Sequence, residues 1–294
     1  LNHRSPSRIV FEVFNYMAFA VFTCIILIPI INALAISFSS YDAVAAGEVG
    51  LWPVNFNVHG YLTIVTNWTF VTTFFNTVGI TVVNTCFSIG SALAAGYVLG
   101  NKHLIGKRML MIYILIPMYF SGGLIPFYLT VNQLGLYNTY FALILPALVN
   151  VFYIIVFRNS IANIPAELAE SGEIDGAGDL TILVRILLPV ISPMIAAFVI
   201  FSAVAYWNEW YNVLLFISDD DKYTLQYWLR QLLVSHEFSD SPNNPLRAIV
   251  NLDRVSQSTL EMAATIITIV PIALVYPFMQ KYFIHGIVVG AVKG

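Results

Sequence analysis

The sequence predicts an all-α integral membrane protein of six transmembrane helices, both termini cytoplasmic, with a surface helix on the cytoplasmic side between spans 4 and 5. Three observations predict it. Of the 294 residues 59% are hydrophobic and 10% charged, with a mean hydropathy of +0.79, whereas a soluble domain carries about a quarter charged residues. Six segments reach the roughly 20 mainly apolar residues that one helix needs to cross the bilayer core. Lys and Arg gather in alternate connections, which orients the chain by the positive-inside rule.

In chain order, residues 1–13 form a cytoplasmic N-terminal segment carrying Arg4 and Arg8. The spans then run from Phe14 to Phe38, Phe70 to Leu99, Met109 to Val131, Thr139 to Phe157, Ile191 to Ile217 and Thr259 to Ile284, within a permeation domain covering 14–285. Pro117, Pro146 and Pro271 fall inside them, which membranes tolerate because neighbours satisfy freed carbonyls. Residues 100–108 (Lys102, Lys107, Arg108), 158–190 (Arg158, Arg185) and the tail 286–294 with Lys281 before it and Lys293 within it are basic and cytoplasmic. The loops 39–69 and 218–258 are the large external ones, and "SDDDKYTLQYWLRQLL" in the second reads as carrying an external helix. Asp219 to Asp221 there reads as a solvated turn. The chain opens on Leu1 rather than Met, so a short native start is expected to precede it; nothing resembles a cleavable signal.

Against this background, "AELAESGEIDGAGD" is anomalous, because Glu167, Glu170, Glu173, Asp175 and Asp179 crowd together without a basic residue. Pro165 is preset for a first helical turn, and Glu167 and Glu170 then sit near the positive end of the helix dipole. A spacing of three places Glu167, Glu170 and Glu173 at neighbouring positions of one face. Gly176 and Gly178 break the helix, and Asp179 is placed to cap the next one. Leu183, Ile186 and Leu187 then recur at helical spacing until Pro189 ends or bends the segment. A solvated amphipathic loop accounts for the charges alone equally well.

The whole pattern resembles the coupling loop of ATP-binding-cassette importer permeases, in the carbohydrate-importer subgroup. Glu170-Ser171-Gly172 occupies the position of the family's Glu-Ala-Ala, Asp175-Gly176-Ala177 matches its Asp-Gly-Ala, and Leu188-Pro189 closes it. Ser171 and Gly172 depart from the two alanines but are small, although Gly lowers helix propensity by about 1 kcal/mol relative to Ala. "FSGGLIPFYLTVNQLGLYNTYFALILP", "YWNEWYN" and "QKYFIHGIVVGAVKG" resemble the same subgroup. The resemblance implies an oligosaccharide cargo, a second permease (a heterodimer more often than a homodimer), two ATPase subunits that hold ATP and Mg, and an external solute-binding protein in a bacterial cytoplasmic membrane. It also implies that 165–189 docks the ATPase through Glu167, Glu170, Ser171, Gly172, Asp175, Gly176, Ala177, Leu188 and Pro189, and that Lys293 and its small neighbours in the tail meet the ATPase dimer. A frayed tail is the alternative for the last.

Polar residues within spans tend to face a bundle interior or a water-filled path. Tyr206, Trp207, Asn208, Glu209, Trp210, Tyr211 and Asn212 lie near the outer end of the fifth span, where aromatic faces suit sugar rings and Asn and Glu suit hydroxyls. An interfacial aromatic belt is the competing reading. Asn76 and Asn84, eight apart, fall near one face of the second span and line the same path or bond helix to helix. The histidines (3, 59, 103, 236, 285) show no metal-ligand spacing. Cys24 and Cys86 read as small apolar residues without a disulfide framework. "GKR" at 106–108 lacks the lead of a phosphate loop, so the chain is expected to bind no ATP or other cofactor. A net charge of −3 without a basic stripe argues against nucleic acid. A membrane-embedded enzyme would need a nucleophile or metal cluster facing the bundle. A stand-alone facilitator or secondary transporter would favour mid-span acids, and Glu209 and Glu261 lie near span ends; an amino-acid or peptide cargo stays open on the residues alone.

Overall fold

In hydrocarbon every backbone N–H and C=O must be paired within the protein, so a chain this apolar has helices or a closed barrel to choose from. A computed structural model describes residues 6–101, 104–234 and 256–291, with the backbone path alone for 278–291, and among these every regular element is a helix. The helices form two compact units, residues 1–70 with 229–270 and residues 71–228 with 271–294. Four helices are long and apolar enough to cross a membrane, or up to six where each of two sharply bent pairs counts as one span.

In the first unit, α1 (Pro6–Ser37) presents its apolar side chains outward, Phe14 at 68% exposure and Phe22 at 64%, a surface suited to lipid. It starts at Pro6, ahead of the expected Phe14. The following loop is ordered rather than loose. Ser40 caps α2 (Tyr41–Ala45) by accepting from the Ala43 amide, and Phe38 stacks on Phe56 and on Tyr61 of α3 (His59–Val65) at centroid distances of 5.2 and 4.6 Å. A Cβ on Gly60 of α3 would stand 3.2 Å from Thr259 Cγ2, on the last helix.

The second unit is organised by α4 (Trp68–Gly100), which at 33 residues is about 50 Å long. Two expected continuous spans, the third and the fifth, are broken, and the fourth, Phe141–Ala162, is still long and apolar enough to cross but carries a 3₁₀ turn. The expected Met109–Val131 span is α5 (Lys107–Tyr119) and α6 (Leu124–Gln133), bent by 110°. The cause is the pair Gly122-Gly123: Gly123 sits at φ 86°, ψ 174°, a region open only to glycine. Pro117, by contrast, is accommodated inside α5. The fourth is α7 (Phe141–Ile144), a 3₁₀ turn Leu145–Ala147 containing Pro146, and α8 (Val151–Ala162), capped by Asn150 accepting from the Tyr153 amide. The expected Ile191–Ile217 span is α12 (Ser192–Trp207) followed, after a break, by α13 (Tyr211–Phe216).

Before α12 come α9 (Ala166–Ile174) and a rod, Asp179–Val190, made of α10 (Asp179–Thr181), a π-helical turn Ile182–Leu187 and α11 (Leu188–Val190). The expected plain α-helical spacing over 183–187 is therefore replaced by a wider turn. Pro189 has no N–H to give to residue 185, which favours the rearranged ladder before it. The rod meets α12 at 87°. Past the expected external turn, α14 (Leu225–Val234) is the helix read from "YTLQYWLRQLL", and residues 235–255 lie outside the described set. The last helix, α15 (Gln257–Ala291), runs past Ile284 into the segment expected as a tail, and the calls on its side chains beyond 277 and on His3, Arg4, Lys102, His103, His236 and Lys293 fall outside the described residues.

One cluster unites α4, α8 and the rod: Ile89, Ala92, Leu93, Leu99, Ile154, Phe157, Ile161, Ile182, Leu187 and Ile191. Its tightest point is Gly96, where a Cβ would stand 2.9 Å from the Arg158 amide nitrogen and 3.1 Å from Phe157 Cβ; one turn on, at Gly100, it would meet Ile161 Cγ2 at 3.4 Å. Small residues four apart let helix backbones approach in membranes. Gly96→Ala is expected to destabilise the protein by about 1–3 kcal/mol, whereas Gly90→Ala, with nothing within 4 Å of its Cβ, should leave the melting temperature in detergent unchanged or slightly raised.

Candidate functional site

The acidic segment folds as a short surface helix ended by a specific turn. α9 starts at Ala166, with Pro165 just before it in an extended conformation (ψ 130°) and Glu167 in the first turn, where the helix dipole favours a carboxylate. Pro165 is thus the flanking residue, not part of the first turn. At the other end the Ala177 amide donates to the Gly172 carbonyl (2.9 Å) and the Gly176 amide to that of Glu173 (3.0 Å), with Gly176 at φ 79°. This pair of bonds is a Schellman motif. Gly178, rather than Asp179, is the N-cap of the rod; Asp179 is its first residue, and its Oδ1 accepts from the Tyr97 hydroxyl at 2.9 Å.

Gly172 faces the rod: a Cβ there would stand 2.7 Å from Ile186 Cδ1 and 3.4 Å from Ile182 Cγ1. Gly172 is thus the buried position of α9 against the rod, and because the atom nearest such a Cβ is the movable tip of Ile186, the site favours a small residue rather than glycine alone. Ala177 and Leu188 are partly buried against the α4–α8 cluster, and Pro189 is exposed near the bend. Glu167, Glu170, Ser171, Glu173, Asp175 and Gly176 are exposed. Beside these carboxylates lie apolar side chains that composition did not single out, Leu168 at 42% exposure, Ile174 at 86% and Leu180 at 72%. The surface of this segment thus exposes acidic and apolar side chains side by side.

The proposed path residues have definite partners. Pro146 has no N–H for the preceding turn and the helix stops over 148–150, which leaves carbonyls without a helical donor, and three side chains take them: Asn84 Nδ2 bonds the Leu143 carbonyl (3.1 Å), Tyr206 Oη the Ala147 carbonyl (3.1 Å), and Ser91 Oγ the Leu148 carbonyl. Asn76 Nδ2 donates to the carbonyls of Asp221 (2.7 Å) and Tyr223 (3.1 Å), and its Oδ1 accepts from Tyr140 Oη (2.9 Å). Glu209 accepts from the Asn212 amide (2.9 Å) and from Asn212 Nδ2 (3.1 Å), bridging the α12–α13 break. Asn208 Oδ1 accepts from Gln226 Nε2 (2.8 Å), Trp207 is buried edge-on to Phe74 at 5.9 Å, Trp210 packs edge-on to Tyr211 at 5.5 Å, and Tyr211 is exposed. Asn76 and Asn84 belong to a longer polar face of α4, with Thr73, Thr77, Thr81, Thr85 and Ser88 all buried. Its spacing of four was legible in the sequence.

The 218–223 turn is knotted, not merely solvated. Lys222 Nζ bonds the Asn138 carbonyl (2.8 Å) and Asp219 Oδ2 (2.7 Å), while Asn138, at φ 58°, accepts from the amides of Ser218 and Asp219.

Residues 92–289 match the family model of the binding-protein-dependent transport system inner membrane component. The chain belongs to that family. The permease is 34% identical over 97% of its length, and 98% of theirs, to the polygalacturonan/rhamnogalacturonan transport system permease protein YtcP of Bacillus subtilis. It is also 34% identical to protein LplC of the same organism, over 99% of this chain and 98% of LplC. Among solved structures it resembles a chain of a bacterial ABC transporter involved in import of the acidic polysaccharide alginate, with a TM-score of 0.89 and 29% identity over 96% of this chain and all of that one. It is thus a multi-pass membrane protein of the transport system, and its relatives are permease subunits.

Two outcomes are expected. Asn84→Ala should leave the Leu143 carbonyl buried and unpaired, costing about 1–3 kcal/mol, read as a lowered melting temperature in detergent. Lys222 and Asn138 hold the Asp219 carboxyl below its usual range, so its stabilising contribution is complete above the ordinary aspartate value and lost as pH falls through the depressed one. Limited proteolysis of the 218–223 turn should accelerate in that acid range, and Asp219→Asn should flatten the dependence.

Proposed function

We propose that this permease forms half of the translocation path of an ATP-driven importer of oligosaccharides, beside a second permease, and takes its motion from two ATPase subunits that hold the ATP and Mg. An external solute-binding protein delivers the cargo; the family's description as binding-protein-dependent supports that partner. Relatives named for polygalacturonan or rhamnogalacturonan and for arabinooligosaccharides support a sugar chain over a peptide. Both termini and the 158–190 segment lie on the cytoplasmic side, supported by the distribution of Lys and Arg. The spans occupy 14–285 of the chain, between the short ends 1–13 and 286–294.

The observation that carries the reading is α9. A rigid helix, braced at Gly172 and closed by the Gly176 turn, exposes Glu167, Glu170, Ser171 and Asp175 together with Leu168 and Ile174. Such a helix seated in a cleft transmits rigid-body motion without a covalent link. Glu170 supplies a charge-assisted contact to a donor on the ATPase; Leu188 and Pro189 set where the rod turns into the membrane. The path is lined from the Tyr206–Asn212 break and the polar face of α4 carrying Asn76 and Asn84, where aromatic rings and amides suit sugars.

The test is purification of the protein from its native cells in mild detergent, with mass-spectrometric identification of what accompanies it. An ATPase and a second permease should co-purify, and Glu170→Lys should reduce the ATPase severalfold. In the purified complex Gly176→Pro, which φ 79° forbids, should leave the spans folded and uncouple ATP hydrolysis from transport; normal transport by that variant contradicts the reading.

A further inference from the structure

The acidic segment and the second span share one polar contact that docking does not use. Tyr97, in the last turn of α4, donates its hydroxyl to Asp179 Oδ1 at 2.9 Å across 82 residues of sequence. Asp179 is the first residue of the rod, immediately after the turn that ends α9. Close packing braces the structure on both sides of this bond. Gly172, buried in α9, faces Ile182 and Ile186 of the rod, and Gly96 and Gly100 bring α4 close onto α8 at Arg158 and Ile161. Tyr97 itself packs partly buried against the α4–α8 cluster, as do Ala169 of α9 and Ala177 of its turn.

A load on α9 can leave by two routes. It can turn the rod about its 87° junction with α12, or pass sideways into α4. The hydroxyl–carboxylate bond closes the first route for small displacements and opens the second. The geometry points to Tyr97 as a positioning residue for coupling: through Asp179 its hydroxyl makes α9, the rod and the adjoining ends of α4 and α8 one moving body. This rests on α9 being the ATPase-docking helix.

The test uses the complete complex with spin labels at Ala166→Cys on α9 and Val98→Cys on α4, both exposed positions, in a background where Cys24 and Cys86, also exposed, are serine. With Tyr97 intact, trapping with Mg-ATP and orthovanadate should leave the label-to-label distance unchanged. In Tyr97→Phe, which keeps the packed ring, trapping should shift it by about 1–2 Å, the scale of helix shifts in switching transitions. Asp179→Ala should do the same, the double variant no more than either single one, and Asp179→Asn, whose amide oxygen still accepts from the phenol, should behave as the parent. An unchanged distance in Tyr97→Phe, or a shift in the parent, overturns the latch. ATPase retention by Glu170→Lys is measured alongside. Retention at the parental level removes the docking reading and the latch with it, whereas reduced retention with an unresponsive Tyr97→Phe removes the latch alone.

Discussion

The obligation to pair every backbone polar group inside the chain governs most of what is unusual in this protein. A continuous helix meets the obligation by itself. Wherever the helical ladder breaks, other groups have to supply the missing partners, and at the breaks over 145–150 and 208–210 polar side chains do so. Asn84, Ser91 and Tyr206 converge on three carbonyls around Pro146, and Glu209 covers an amide at the start of α13. Lys107 bonds the carbonyls of Gly100 and Asn101 where α4 ends, the favourable placement of a cation at a helix C-terminus. At these breaks, polarity is first a repair of the backbone.

That obligation explains which features could be read in advance. Apolar length located the spans to within a few residues at α4, because nothing in 68–100 interrupts the ladder. It failed at α5–α6 and α12–α13, where hydropathy stays high across a bend and only Gly122-Gly123 or the polar cluster Asn208-Glu209 marks it. Prolines misled in the other direction: Pro117 lies within a helix while the neighbouring glycine pair makes the corner. The helix–turn–helix of the acidic segment was legible because Gly176 needs a left-handed backbone and the carboxylates suit a helix start. Its π turn was not, since Leu183, Ile186 and Leu187 fit either ladder.

Gly172 shows the limit most clearly. On propensity it is a defect in α9; in space it is the buried position of that helix, facing Ile182 and Ile186 of the rod. Tyr97 carried no signal at all, being one aromatic among many near a span end, and acquires meaning only from Asp179, far away in sequence. The exposed Ile174 and Leu180 were likewise invisible to a reading that looked for charge.

The hydroxyl row on α4 has a mechanical consequence. Thr73, Thr77, Thr81 and Thr85 repeat every four residues on a buried face, close to the pitch of the helix. Translating such a rail by one turn brings each hydroxyl near the place its neighbour left, so the row works like a vernier with equivalent marks and defines no zero of its own. The zero comes from the unlike groups along the helix, the three bonds of Asn76, the bonds of Asn84 and Ser91 to the Leu143 and Leu148 carbonyls, and the close approach at Gly96. Axial register in this helix is therefore held by these few contacts and not by the threonine row.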